Sequence, residues 1–139
     1  MVLVRRVTLL ISPIILTVAL MAASRSVWDG VYTQGQTSRG ENEYLSHCAR
    51  CHGETLFGGE ESPAVAGEEF IARWHGKTVG ELVERVRKTM PTDGPGVLSL
   101  KQCTDIVAYL LNANEFPAGE SEMESDLAAL NEIRIEPKP

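Results

Sequence analysis

The sequence is short of cysteine and of basic charge, and it lacks repeats and sheet-forming patterns. It has three cysteines in 139 residues. An odd number argues against a framework built purely of disulfides, so two of the three need another task. Lys and Arg number 13 against 19 Asp and Glu. A chain of that sign is poorly suited to nucleic acid or an anionic membrane surface. No internal repeat, low-complexity run or alternation long enough to build a sheet is present, so the fold should be mostly helical.

Charge is also missing from one continuous stretch. Met1–Arg6 carries Arg5 and Arg6 and no acid, and Val7–Ala23 is uncharged and mostly aliphatic. Small residues follow at Ala22, Ala23 and Ser24. This order reads as an export signal over residues 1–24. The uncharged run is long for a signal core and slightly short for a membrane span, so cleavage and retention as an anchor through residues 7–23 both stand. Either way, the rest is expected to be exported; without residues 1–24 it has 11 basic and 19 acidic side chains and a net charge of −8.

Ser26–Gln36 reads as an irregular lead-in. Ser38 with Glu41 forms a capping-box pattern, predicting a helix whose Tyr44, Leu45 and Cys48 share a face. Residues 53–67 are rich in glycine and acids and predict a long loop, the kind that wraps a ligand. Glu68–Trp74 suits a short helix. Thr78 and Glu81 cap another that runs to about Thr89, with Val79, Leu82, Val83, Val86 and Met90 on one stripe. Glu81–Arg85 and Glu84–Lys88 are spaced to pair on its outer face. Pro91 ends it. Ser99 with Gln102 opens a third long helix, with Cys103, Ile106, Val107, Leu110 and Leu111 inward. Residues 25–119 thus form one domain, and 120–139 read as an acidic tail with a modest amphipathic piece at Leu127–Ile135.

Cys48-Ala49-Arg50-Cys51-His52 is C-x-x-C-H, the attachment signature of haem c. Cysteines at this spacing at a helix end can each reach one vinyl group of the porphyrin, and His52 then offers an imidazole to the iron. A zinc site would want a second pair of ligands, and a thioredoxin-like dithiol wants a βαβ context; neither is present. A disulfide between Cys48 and Cys51 is the remaining structural reading. For the sixth iron position the stripe nominates Met90, beside the plainer reading of core packing. His75 is the rival, and Met123, between two glutamates, a poor one. Trp74 could pack the haem edge or donate its N–H to a propionate, and Arg73 could pair with one. His47 reads as a surface residue, and Cys103 as a small core residue.

The residues C-A-R-C-H-G (48–53), S-P-A-V-A-G (62–67) and T-M-P (89–91) resemble class I monohaem cytochromes c. Gly40, Tyr44 and Tyr109 look like that family's crossing of first and last helices. V-W-D-G-V-Y-T (27–33), F-I-A-R-W-H-G-K-T-V-G-E-L (70–82) and A-N-E-F-P-A-G (113–119) are similar to cytochrome c modules associated with quinoprotein dehydrogenases. The resemblance implies an all-α class I fold of three main helices, with long loops wrapped around one covalent haem c. It implies that Cys48 and Cys51 attach the haem, that His52 and Met90 ligate its iron, and that Pro63's carbonyl accepts the His52 Nδ1 proton. The function implied is one-electron transfer, with a quinoprotein dehydrogenase as donor and a downstream cytochrome or oxidase as acceptor. A haem enzyme or gas sensor with an open sixth position is the competing expectation.

Overall fold

A computed structural model describes residues 24–60 and 62–139. The expected export signal or anchor lies outside the described residues, apart from Ser24. No helix among the described residues is long and apolar enough to cross a membrane. In chain order the elements are β1 (Arg25–Ser26), α1 (Gln34–His47), α2 (Ala49–His52), α3 (Glu68–Trp74), α4 (Val79–Thr89), α5 (Leu100–Ala113), α6 (Leu127–Asn131) and β2 (Ile133–Arg134). The molecule is mostly helical, as expected.

Helix α1 starts earlier than its capping pattern predicts. Thr33, not Ser38, is the cap: its backbone is extended and its hydroxyl accepts the Gln36 N–H at 3.1 Å. Ser38 sits inside the helix and donates to the Gln34 carbonyl at 3.1 Å. A serine with helical neighbours on both sides has no free N–H to cap, so its hydroxyl bonds backwards instead. The capping boxes at Thr78/Glu81 and Ser99/Gln102 form as expected and open α4 and α5. Each stabilises its helix by about 0.5–2 kcal/mol. Glu84 and Lys88 pair at 2.6 Å, but Glu81 does not pair with Arg85. Its carboxylate is already accepting the Thr78 N–H at 2.7 Å.

The first and last long helices cross where the chain can come closest. A Cβ on Gly40 would overlap the backbone carbonyl of Asp105. That intimacy brings the Tyr44 and Tyr109 rings to 5.4 Å. Around the crossing, Cys103, Ile106, Val107 and Leu111 of α5 are at most 1% exposed. Cys103 is thus a core residue. Arg39 of α1 reaches Asp105 at 3.1 Å and Glu122 at 2.7 Å, and Lys101 joins Asp105 at 2.9 Å.

Two segments are more ordered than the sequence predicts. The lead-in contains β1 and a 3-10 turn, Val27–Asp29, capped reciprocally by Ser26 and Asp29. It buries Val27, Val31 and Tyr32. Residues 120–139, read as an acidic tail, are instead packed onto the domain. Leu130, Ile133 and Ile135 are at most 2% exposed, and Met123 is buried. Gln36 donates to the Met123 carbonyl at 3.1 Å and accepts its N–H at 2.9 Å. β2 pairs in parallel with β1, joining Arg25 to Ile133 and Ser26 to Arg134. The acids of this strap point outward while its isolated aliphatic residues point in. Burying each of those aliphatic side chains contributes about 1.5–3 kcal/mol, so a few of them outweigh the solvated charges between them.

Candidate functional site

The site begins where α1 ends. Cys48 leaves the helical geometry at φ −120° and ψ −37°, and a fresh single turn, α2, follows at once. Its first bonds run back to Cys48: the N–H groups of Cys51 and His52 donate to the Cys48 carbonyl at 3.1 and 3.0 Å. One turn therefore presents both cysteines and the histidine. Tyr44 fixes the exit of this turn by donating its hydroxyl to the Gly53 carbonyl at 2.8 Å. Both cysteines are free thiols. Burial, aided by nearby acidic groups, pushes the Cys48 thiol up to about 11.

The loop that follows folds back over His52. The described residues between 53 and 67 form neither helix nor strand, as the glycine content predicts. Gly58 makes the return: its φ is +75°, and a Cβ there would sit 2.8 Å from the Pro63 carbonyl carbon. Its N–H donates to the His52 carbonyl at 2.9 Å. Pro63 then arrives with its carbonyl oxygen 2.8 Å from His52 Nδ1. A carbonyl only accepts, so Nδ1 is the donor of this bond, which leaves Nε2 as the nitrogen facing away from it. The far end of the loop is tied by Asn114, just past α5. Its side chain accepts the Gly67 N–H at 2.9 Å and donates to the Val65 carbonyl at 3.1 Å. The sequence reading missed this clamp, although an asparagine just after a helix is a familiar stop signal.

Met90 comes from a different element. It is the C-terminal cap of α4, half-buried and extended, with its N–H donating to the Val86 carbonyl at 2.9 Å. Cys48, Cys51, His52, Pro63, Trp74 and Met90 all line one cavity of about 340 Å³. Its walls include Phe70, Leu82, Val86, Ile106 and Leu110. Trp74 is half-buried on the lining, with the Lys77 ammonium 4.9 Å from its ring centre. Arg73 and Arg85 also reach the cavity, Arg73 pairing with Glu69 at 3.2 Å. Arg50 at the rim pairs with Asp93.

The two rivals for the sixth position fall away from this space. His75 is exposed at the end of α3 and does not line the cavity, and Met123 is a buried residue of the strap that does not line it either. His47 is an exposed rim residue 3.4 Å from Glu43. Among the described residues, no three His, Cys, Asp or Glu side chains gather into a cluster able to hold a metal ion. A haem c fits the residues present. Two free thiols, an imidazole with its outer nitrogen already bonded, and a thioether share one apolar cavity.

A mostly helical domain with C-x-x-C-H on the wall of such a cavity defines a cytochrome c. A family model described as Cytochrome C oxidase, cbb3-type, subunit III matches residues 35–110, and the chain belongs to that cytochrome c family. Haem c held covalently is the cofactor of such domains, and the chain is an electron-transfer haem protein. Among solved structures, the sulfane dehydrogenase SoxCD from Paracoccus pantotrophus is similar, at 25% identity and a TM-score of 0.47. The match covers 64% of this chain and 53% of that one, so this chain spans about half its length. No curated protein sequence matches.

Proposed function

We propose that the chain is a single-electron carrier with one haem c, attached through Cys48 and Cys51 and ligated by His52 and Met90. The observation that carries this reading is the convergence of those four side chains on one cavity. Haem c, when bound, supplies a one-electron iron couple. The rest is the work of the chain. Pro63 holds the His52 ring in one tautomer and one orientation, making Nε2 the ligating atom. Met90 offers a neutral thioether, which favours the reduced state and raises the potential. With both positions taken there is no open coordination site for a substrate, which separates a carrier from an enzyme or sensor. Phe70, Leu82, Val86, Ile106 and Leu110 keep water from the cavity and lower its dielectric. Trp74 packs its edge, and Arg73 and Arg85 supply positive charge for the cofactor's carboxylates.

The donor we infer is a periplasmic quinoprotein dehydrogenase, and the acceptor a downstream cytochrome or oxidase. Support comes from the resemblance over 27–33, 70–82 and 113–119 to cytochrome modules of that class. Residues 1–24 would export the domain to the periplasm, free or tethered through 7–23.

The test is the optical spectrum of the ferric holoprotein made with a haem-attachment system. A weak long-wavelength band from methionine sulfur on low-spin iron is expected. A high-spin spectrum, or a low-spin one without the band, overturns the ligand assignment.

A further inference from the structure

Helix α4 ends at Met90, but its first turn is held by a part of the chain beyond the stretch matched to the family. Asn131, at the end of α6, accepts the Thr78 hydroxyl proton at 2.8 Å. That same hydroxyl accepts the Glu81 N–H at 3.1 Å, so one oxygen both caps α4 and anchors it to the strap. The fit is close: a Cβ on Gly80 would overlap the Asn131 side chain and lie 3.0 Å from its backbone nitrogen. The chain entering α4 is pinned as well. Ile135 donates to the Lys77 carbonyl and accepts from the Gly76 N–H, both at 2.9 Å.

We infer that Asn131 is a positioning residue for Met90, acting through the tilt of α4. The helix has 11 residues. At a rise of about 1.5 Å per residue it is a lever of about 16 Å, so a tilt of roughly 4° at its anchored end moves Met90 by about 1 Å. That exceeds the roughly 0.5 Å within which a ligand must be held. His52 hangs on α2 and Pro63, neither of which touches this anchor, so the two axial ligands are positioned by separate parts of the chain. This inference rests on Met90 being the sixth ligand.

The experiment uses full-chain ferric holoprotein titrated with imidazole, which competes for the sixth position, while the methionine–iron band is followed. Asn131→Ala should weaken the band and tighten imidazole binding by about 2- to 10-fold, the range set by one lost hydrogen bond. Gly80→Ala, which wedges the strap off the helix, should have a larger effect in the same direction. Val107→Ala is the control for general destabilisation: Val107 is buried in α5 and does not line the cavity. It should lower Tm without changing imidazole affinity. If Asn131→Ala binds imidazole as the wild type does, or no more tightly than Val107→Ala, the positioning role is overturned. Should Gly80→Ala fail to fold, Asn131→Ala decides alone. A wild-type protein without the band overturns the ligation reading itself, and this inference with it.

Discussion

His52 Nδ1 donates to the carbonyl oxygen of Pro63 across 2.8 Å, and the loop that makes this bond turns on Gly58. Because the acceptor is backbone, truncating a loop side chain does not remove it; with His52 in place, only the path of the loop can. Gly58→Ala would place a Cβ 2.8 Å from the Pro63 carbonyl carbon at a φ of +75°. The expected result is a loss of about 1–3 kcal/mol in stability from strain and overpacking. The His52 ring should also lose its single orientation, visible as broadened or shifted imidazole resonances in the reduced holoprotein.

Met90→Ala should leave the haem attached, since the cysteines and His52 are held by other elements. It should open the sixth position to cyanide or carbon monoxide, with affinity rising at least about tenfold, equivalent to ~1.4 kcal/mol. Unchanged inertness toward both ligands would show that Met90 is not the ligand.

The crossing of α1 and α5 offers no room for a side chain. Gly40→Ala should lower stability by about 3 kcal/mol or more, since the obstruction is the Asp105 backbone rather than a flexible side chain. Thermal unfolding of the holoprotein measures this directly. A loss under about 1 kcal/mol would mean that the helices can separate there without penalty.

Asp105 makes the stability depend on acid. Burial opposes its ionisation, but hydrogen bonds from Arg39 and Lys101 outweigh burial and hold its carboxyl below 3.8. A folded-state pKa below the unfolded one stabilises the fold above the unfolded value, and that contribution is lost as pH falls through the folded value. Asp105→Asn should therefore cost about 1–3 kcal/mol at pH 7, with the gap from wild type narrowing below about pH 4. Denaturant midpoints measured between pH 7 and pH 3 test both the size and the sign.

Much of the candidate site was legible because its signals are local. C-x-x-C-H fits within one turn, and the Thr78 and Ser99 caps announce their helices within three residues. The inward stripe of α5 follows from helical periodicity, and all five of its expected residues are buried. What stayed hidden depends on distant partners. Thr33 outcompeted Ser38 as a cap through backbone conformation, which composition does not reveal. The strap was legible only as a modest amphipathic piece at Leu127–Ile135; its acids concealed that this piece and Met123 pack onto the domain, because so few apolar residues show no docking site until a surface exists to receive them. Asn114 and Asn131 read as ordinary polar residues in sequence, and acquire their roles only when the loop and α4 lie beside them.

The pairing of β1 with β2 sets an order in time. These strands lie near the two ends of the described chain, and α1 finds its main partner only in α5. A polypeptide that emerges with its N-terminus first thus presents Cys48, Cys51 and His52 well before residues 100–135 are available to enclose them. Pairings between distant segments are also slow to form. The topology itself leaves a window in which the thiols stay accessible to chemistry, and that window shuts only when residues 100–135 have arrived.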